Sequence, residues 1–376
     1  MAAAARRIIR VADDFRLQRG GVLPEVDIAY EAWGRRNEHD NNTVLLFPGL
    51  SPSAHAASSP ADPEPGWWEW MIGPGRPLDT DRYHVICVNP LGSCFGSTGP
   101  ASLHPGTGRP WGSDFPELSI EDIARAAHEL VKLLGIGRLH TVMGASLGGM
   151  VALSHTVEFP GAAERLVSLC AGMRAEPAAV ALRSLQREMV CADPDWQGGH
   201  YAPGPGPRNG MRLARKLGLI SYRSAAEWAE RFGREEADLG DGAAPFTAGL
   251  QVESYLEANA RRFVEGFDPN CYLYLSRAMD WFDAGDLAGT TVRRALVVGV
   301  ETDTLFPLHQ QRELAERLCE LGRDVEFVAM PSLQGHDAFL VDRQRFAPVL
   351  RNFFGDELLC LDDERVSIRD CAAATG

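Results

Sequence analysis

Two kinds of segment alternate along the chain. Short, continuous apolar or β-branched runs occur at Thr43 to Phe47, His84 to Val88, Leu139 to Met143, Leu166 to Cys170, Ala295 to Val300 and Val325 to Met330. Runs of this length, without polar alternation, are the pattern of strands buried on both faces. Between several of them apolar positions recur every three or four residues, most clearly from Ile120 to Leu134, and predict amphipathic helices. Strands alternating with helices predict an α/β fold, a mostly parallel sheet with helices on both faces.

The pattern changes at about Pro177. From there to Gly285 no strand-like run appears, and helical segments are predicted around Ala179 to Val190, Gly210 to Leu219, Ala225 to Phe232 and Ser254 to Val264. Residues 177–285 therefore read as a helical insertion, flanked by a core assembled from 1–176 and 286–354. Within it the Gly/Pro-rich stretch Gly198 to Gly210 reads as a loop. The tail 355–376 loses periodicity, and its end is expected to be poorly ordered.

Composition narrows the classes of function. At 376 residues, 45% hydrophobic and 23% charged, the chain supports a large core and wholesale disorder is excluded. A formal charge of -14 excludes a general nucleic-acid or anionic-membrane binder, so an anionic ligand must meet a local basic cluster. Lysine occurs only as Lys132 and Lys216, and the arginine richness reads as the mark of a GC-rich genome rather than of chemistry. The start has no apolar region of signal-peptide length and no later segment is apolar enough to cross a bilayer, so a cytoplasmic location is expected. Eight scattered cysteines without a CxxC pair suggest neither a zinc site nor a disulfide framework, and they read as reduced.

One motif carries chemistry. Gly144-Ala145-Ser146-Leu147-Gly148 is a GxSxG lying between the apolar run that ends at Met143 and a helical pattern that begins at Met150. A nucleophile elbow needs that strand, that helix and small flanking residues, so that a strained turn can expose the serine hydroxyl. Serine is a poor nucleophile at neutral pH and needs a histidine base, whose tautomer a carboxylate fixes. In this arrangement the chain order is serine, acid, histidine. Of His155, His200, His309 and His336, the four that follow Ser146, only His336 lies in a loop directly after a late strand. Asp303 follows the run Ala295 to Val300 and is the candidate acid, with Glu301 its nearest competitor. The oxyanion hole is expected from the backbone N–H of Leu147 and of Leu50, the latter in the loop after the first apolar run. None of this chemistry calls for a metal or an organic cofactor.

Beyond the elbow, the segments GWWEWMIGPGRPLDTDRYHVICVNPLGSCFGSTGP, DFPELSIEDIARA, GASLGGM, DPDWQGGHY, GMRLARKLG, SYRSAAEW, LQVESYLE, FDPNCYLYLSRAMDWFD and QGHDAFLVD resemble the homoserine/serine O-acyltransferases of the α/β-hydrolase fold. The resemblance runs co-linearly from about Gly20 to Phe354. It implies a ping-pong transfer in which acyl-CoA, a co-substrate, acylates Ser146 and an amino-acid hydroxyl then takes the acyl group. It also implies Asp303 and His336 as partners of Ser146, and Arg215 and Asp337 as contacts to the acceptor. The helical insertion would cap the site and exclude water.

Donor and acceptor follow from finer features of the same resemblance. Relatives that transfer succinyl to homoserine carry an arginine two positions after the acid, where this chain has Leu305. Arg183, in RSLQRE, resembles the branch that succinylates serine, which favours succinyl over acetyl. Gly49-Leu50-Ser51-Pro52 resembles the serine-directed branch, and Pro52 would hold the oxyanion loop in the shallower shape the shorter acceptor needs. The expected reaction is thus acyl transfer to L-serine, giving an O-acylserine precursor of cysteine. Transfer of acetyl or succinyl to L-homoserine, in methionine synthesis, is the alternative; an esterase or thioesterase is the second, since a triad does not choose its acceptor. A non-catalytic scaffold is disfavoured by the complete serine, acid and histidine set. A homodimer is left open, and neither nucleic acid nor membrane is expected as a partner.

Overall fold

The structure, a computed structural model, describes residues 5–202, 206–238, 246 and 249–355. The end of the tail, expected to be poorly ordered, lies outside the described residues, as do positions 203–205 of the Gly/Pro-rich stretch.

Among the described residues the strands are β1 (Arg7–Arg16), β2 (Val22–Trp33), β3 (Thr43–Phe47), the short pair β4 (Ile72–Gly73) and β5 (Leu78–Asp79), β6 (His84–Val88), β7 (Leu139–Ala145), β8 (Ala163–Leu169), β9 (Arg294–Val300) and β10 (Asp324–Met330). All but β4 and β5 form one sheet in the order β1-β2-β6-β3-β7-β8-β9-β10. From β6 to β10 every pairing is parallel; β2 joins β6 antiparallel and β1 closes the edge as an antiparallel hairpin with β2. All five residues of β3 are buried, as is nearly all of β7, because helices cover both faces. Each face has its own apolar cluster, one around Leu45, Ile86, Val142 and Val297, the other around Leu46, Cys87, Met143 and Val298. Neighbouring residues of one strand thus point into opposite clusters, as the two-residue period requires.

The helices are α1 (Ile120–Leu133), α2 (Leu147–Glu158), α3 (Pro177–Cys191), α4 (Arg208–Tyr222), α5 (Ala225–Phe232), α6 (Gln251–Gly266), α7 (Pro269–Trp281), α8 (Leu308–Glu320), the short α9 (Ala338–Val341) and α10 (Arg343–Gly355). Helix α1 starts where Ser119 and Asp122 cap each other reciprocally: the Asp122 N–H donates to Ser119 Oγ at 3.1 Å and the Ser119 N–H to Asp122 Oδ2 at 3.0 Å. Helix α2 is buried from Leu147 to Thr156 and follows the elbow directly. Helices α3 to α7 lie between β8 and β9, and α7, with Pro269 at its first turn and Asp268 as its N-cap, belongs to this group although the periodicity did not single it out. The hairpin β1–β2 was not expected either; most of β1 faces solvent and a register shift interrupts it between Arg10 and Ala12.

Connections run in opposite directions from the neighbouring strands β3 and β7, to β6 on one side and β8 on the other, and the loops after β3, β7, β9 and β10 all leave the carboxyl edge of the sheet. In open α/β sheets that edge is where ligands bind.

Candidate active site

The loop after β7 contains Ser146 at φ 56°, ψ -123°, a backbone conformation that a residue with a Cβ adopts only under constraint. The constraint comes from close packing around the turn. A Cβ on Gly144 would stand 2.1 Å from the Gly148 carbonyl oxygen, and one on Gly148 would stand 2.1 Å from that of Phe47. Glycine at both ends of the motif is what lets β7 pass into α2 against the end of β3. The Ser146 N–H donates to the Leu169 carbonyl at 2.9 Å, and the N–H groups of Gly149 and Met150 donate to the Ser146 carbonyl. Leu147, first residue of α2, has an N–H with no carbonyl partner inside the helix.

Two loops deliver the partners. His336 sits in a 3₁₀ turn, Gly335–Asp337, after β10, with Gly335 at φ 63°. Its Nε2 lies 2.9 Å from Ser146 Oγ and its Nδ1 2.7 Å from Asp303 Oδ2. Asp303, in the loop after β9, accepts at Oδ1 from the N–H groups of Leu305 (2.8 Å) and Phe306 (2.9 Å), so its other oxygen is free for the imidazole. All three residues are buried, and the Phe306 ring stacks on the imidazole with centroids 5.2 Å apart. Burial pushes the His336 pKa down, but the neighbouring Asp303 carboxylate outweighs it and the net direction is up. An imidazole held between a hydroxyl and a fixed carboxylate can accept the hydroxyl proton and stabilise the resulting charge. Glu301 takes no part in this contact.

The remaining histidines separate cleanly from the site. His155 is buried against His128 and Phe159, and burial drops its pKa to about 3. His309 is exposed beside Glu176, and His200 is exposed beside Ser113.

Gly49, Leu50, Ser51, Pro52, Ser146 and His336 line one cavity of about 140 Å³, whose opposite wall comes from α3, α4 and α7. The loop after β3 is anchored beyond Pro52, where the Trp67 indole N–H donates to the Ser53 carbonyl at 2.9 Å. Arg215, on α4, reaches into this cavity; its Nη1 donates to Ser51 Oγ at 3.1 Å and its guanidinium lies 4.3 Å from the Phe263 ring centroid. Asp337 faces the same space and pairs with Arg223 Nε at 3.1 Å. Burial raises the Asp337 pKa against the opposing pull of Arg223, His336 and Arg215. Arg183, on α3, is only 4% exposed. Its Nε donates to Asp280, and among the described residues its Nη1 and Nη2 are buried without a hydrogen-bond partner. The cavity thus has Ser146, His336 and Asp337 on the sheet side, and Arg183 and Arg215 on the helical side.

Sequence reasoning missed four contributors. Tyr222, Tyr272 and Gln186 line the cavity, and Arg223 orients Asp337. Tyr222 and Arg223 stand within SYRSAAEW and Tyr272 within FDPNCYLYLSRAMDWFD, so the quoted segments contained the signal without its assignment. Among the described residues, no group of three or more His, Cys, Asp or Glu side chains is placed to hold a metal, and no helix is long and apolar enough to cross a membrane.

Comparison with known proteins agrees with this architecture. The model of the alpha/beta hydrolase fold family matches residues 42–342. A serine O-succinyltransferase of Litchfieldella anticariensis is 56% identical over 359 residues, covering 93% of this chain and 98% of that protein. Among solved structures, the homoserine O-acetyltransferase from Bacillus anthracis superposes with a TM-score of 0.86 at 26% identity, over 96% of this chain and all of that one. Esterase E22 superposes with a TM-score of 0.83, also at 26% identity, over 93% and 99% of the two chains. One backbone therefore accommodates both transfer to an amino acid and transfer to water, and the fold alone does not choose between them. Sequence identity that high over nearly the full length does discriminate, and it places this chain in the α/β-hydrolase fold family, in the same family as the serine O-succinyltransferases.

Proposed function

We propose that the protein transfers a succinyl group from succinyl-CoA to the side-chain hydroxyl of L-serine through a succinyl-Ser146 intermediate. One observation carries this reading: the cavity that contains Ser146 and His336 also contains separate charged groups for each polar end of the two substrates. Arg215 suits the acceptor carboxylate and Asp337 its ammonium group, while the unpartnered Nη1 and Nη2 of Arg183 suit the far carboxylate of a succinyl chain. An apolar ester needs none of the three. The name of the 56%-identical relative supports the same donor class and acceptor.

In the first half-reaction Ser146 Oγ attacks the thioester carbonyl while His336 Nε2 takes the hydroxyl proton. The tetrahedral oxyanion accepts hydrogen bonds from the Leu50 and Leu147 N–H groups. The C–S bond then breaks, and His336 returns the proton to the departing CoA thiolate. In the second, the serine hydroxyl attacks the acyl-enzyme and gives its proton to His336. The ester to Ser146 breaks, Ser146 Oγ regains the proton, and O-succinylserine leaves. Asp303 holds the imidazole and stabilises it while charged, without itself taking the proton. The helices α3, α4 and α7 cover the acyl-enzyme and limit the access of water.

The homoserine O-acetyltransferase likeness makes homoserine the second candidate acceptor. The test follows thiol release from succinyl-CoA and from acetyl-CoA, each with L-serine, with L-homoserine and with neither. A preference of about 10 to 200-fold for serine is expected, because one methylene supplies only about 1 to 3 kcal/mol of discrimination. Thiol release that does not depend on an added amino acid would identify a hydrolase instead.

A further inference from the structure

The guanidinium of Arg183 is not isolated. Arg183 and Arg187 stand one turn apart on α3, and Asp280 and Ser276 one turn apart on the facing α7. Arg183 Nε donates to Asp280 Oδ1 at 2.5 Å, Arg187 Nη2 lies 2.6 Å from Asp280 Oδ2, and Arg187 Nη1 donates to Ser276 Oγ at 2.9 Å. The side chains of Arg183 and Asp280 are each 5% exposed and that of Arg187 13%. Two guanidinium groups thus share one carboxylate in a nearly dry ring, and one positive charge is left over.

Geometry places that surplus. Asp280 engages the Nε of Arg183, so the edge formed by Nη1 and Nη2 is the one left over, and Arg183 lines the cavity of Ser146. That edge offers two N–H donors in one plane, the fork that a carboxylate accepts with both oxygens. A donor without a carboxylate leaves both groups buried and unpaired, which costs free energy. Selection by this ring therefore works in two directions, rewarding a terminal carboxylate and penalising its absence.

We propose that Asp280 is a positioning residue for choice of the acyl donor: by fixing Arg183 through Nε, it aims the Nη edge at the succinyl carboxylate. The proposal rests on the reading of Arg183 given above. Charge and orientation make opposite predictions for Asp280→Asn. The substitution adds net positive charge beside the cavity, so attraction alone would tighten succinyl binding. Loss of the ionic lock instead lets the Arg183 side chain sample other rotamers, and weakens it.

The experiment measures kcat/KM for succinyl-CoA and acetyl-CoA at saturating L-serine in the wild type, Asp280→Asn, Arg183→Met and the double variant. Asp280→Asn is expected to lower the succinyl-to-acetyl ratio by about tenfold, the size of a weakened charge-assisted bond, mainly through KM for succinyl-CoA. Arg183→Met should lower the ratio at least as far, and the double variant no further than Arg183→Met alone. A third variant, Asp280→Glu, keeps the negative charge but lengthens the side chain by one methylene, so it displaces the Nη edge without changing the net charge and should lower the ratio by about threefold. It serves if Asp280→Asn does not fold. An unchanged or raised ratio in Asp280→Asn, with a lowered one in Arg183→Met, overturns the role of Asp280 and leaves that of Arg183 standing. If Asp280→Asn does not fold, an unchanged ratio in Asp280→Glu overturns it equally. An unchanged ratio in Arg183→Met overturns the reading of Arg183 itself.

Discussion

Replacing Asp303 by asparagine tests the catalytic unit with the least disturbance to its shape. Asn has the same volume, and its carbonyl oxygen can still accept from the N–H groups of Leu305 and Phe306, at 2.8 and 2.9 Å from Asp303 Oδ1. That contact forces the amide nitrogen into the place of Oδ2, which lies 2.7 Å from His336 Nδ1. An NH2 group there donates, so Nδ1 must accept and the imidazole proton moves to Nε2, the atom that faces Ser146 Oγ at 2.9 Å. The base then presents a proton to the hydroxyl it should deprotonate. The variant also lacks the negative charge that stabilises the imidazolium. A loss of about 10³ to 10⁴ in kcat is expected, about 4 to 5.5 kcal/mol at 1.36 kcal/mol per tenfold. Stopped-flow thiol release from succinyl-CoA with L-serine reads it, and thermal unfolding checks that the fold is kept. Because the triad acts as one machine, Asp303→Asn with His336→Ala should be little worse than His336→Ala alone. Activity of Asp303→Asn within tenfold of wild type, or a double variant that loses the product of the two single losses, would refute the unit.

Three further expectations follow from particular contacts. Since Asp303 raises the His336 pKa, the acid limb of kcat/KM should lie above the ordinary histidine value, with activity falling as pH drops through it; in Asp303→Asn the limb should move down. Buried His155, with a pKa of about 3, stays neutral in the folded protein while the unfolded chain takes up a proton below about pH 6.5. Stability should therefore decline as pH falls from about 6.5 toward 3, and His155→Leu should flatten the part of that slope due to this group, read from unfolding midpoints at successive pH values. Gly148→Ala pushes a Cβ to 2.1 Å from the Phe47 carbonyl oxygen, and should abolish soluble folded protein or cost upwards of about 3 kcal/mol, measured by denaturant unfolding.

The fold was legible because its central strands are buried on both faces, which turns each into an unbroken apolar run. The same physics explains what was not legible. Strand β1 is an edge strand with most of its side chains in solvent, and RIIRVADDFR offers no continuous run to mark it. Helix α7 combines tyrosines, a serine, an arginine and buried apolar positions because it faces the cavity on one side and the core on the other, and this blurs its period. At the site, Ser146 and His336 were readable from local turn chemistry and chain order. Asp303 over Glu301 was decided by position alone, and the structure adds the two backbone N–H groups that hold it. Arg183 was reached only through family resemblance. Its partner Asp280 lies on a different helix, and no local rule of sequence joins two such residues.

Mass spectrometry of the protein mixed with succinyl-CoA, before and after L-serine is added, tests the central claim most directly. The account predicts one succinyl group on the peptide that contains Ser146, formed with stoichiometric thiol release, absent in Ser146→Ala, and discharged by L-serine to O-succinylserine much faster than by water. A succinyl adduct that persists in Ser146→Ala, or one that water removes as fast as L-serine does, would contradict it.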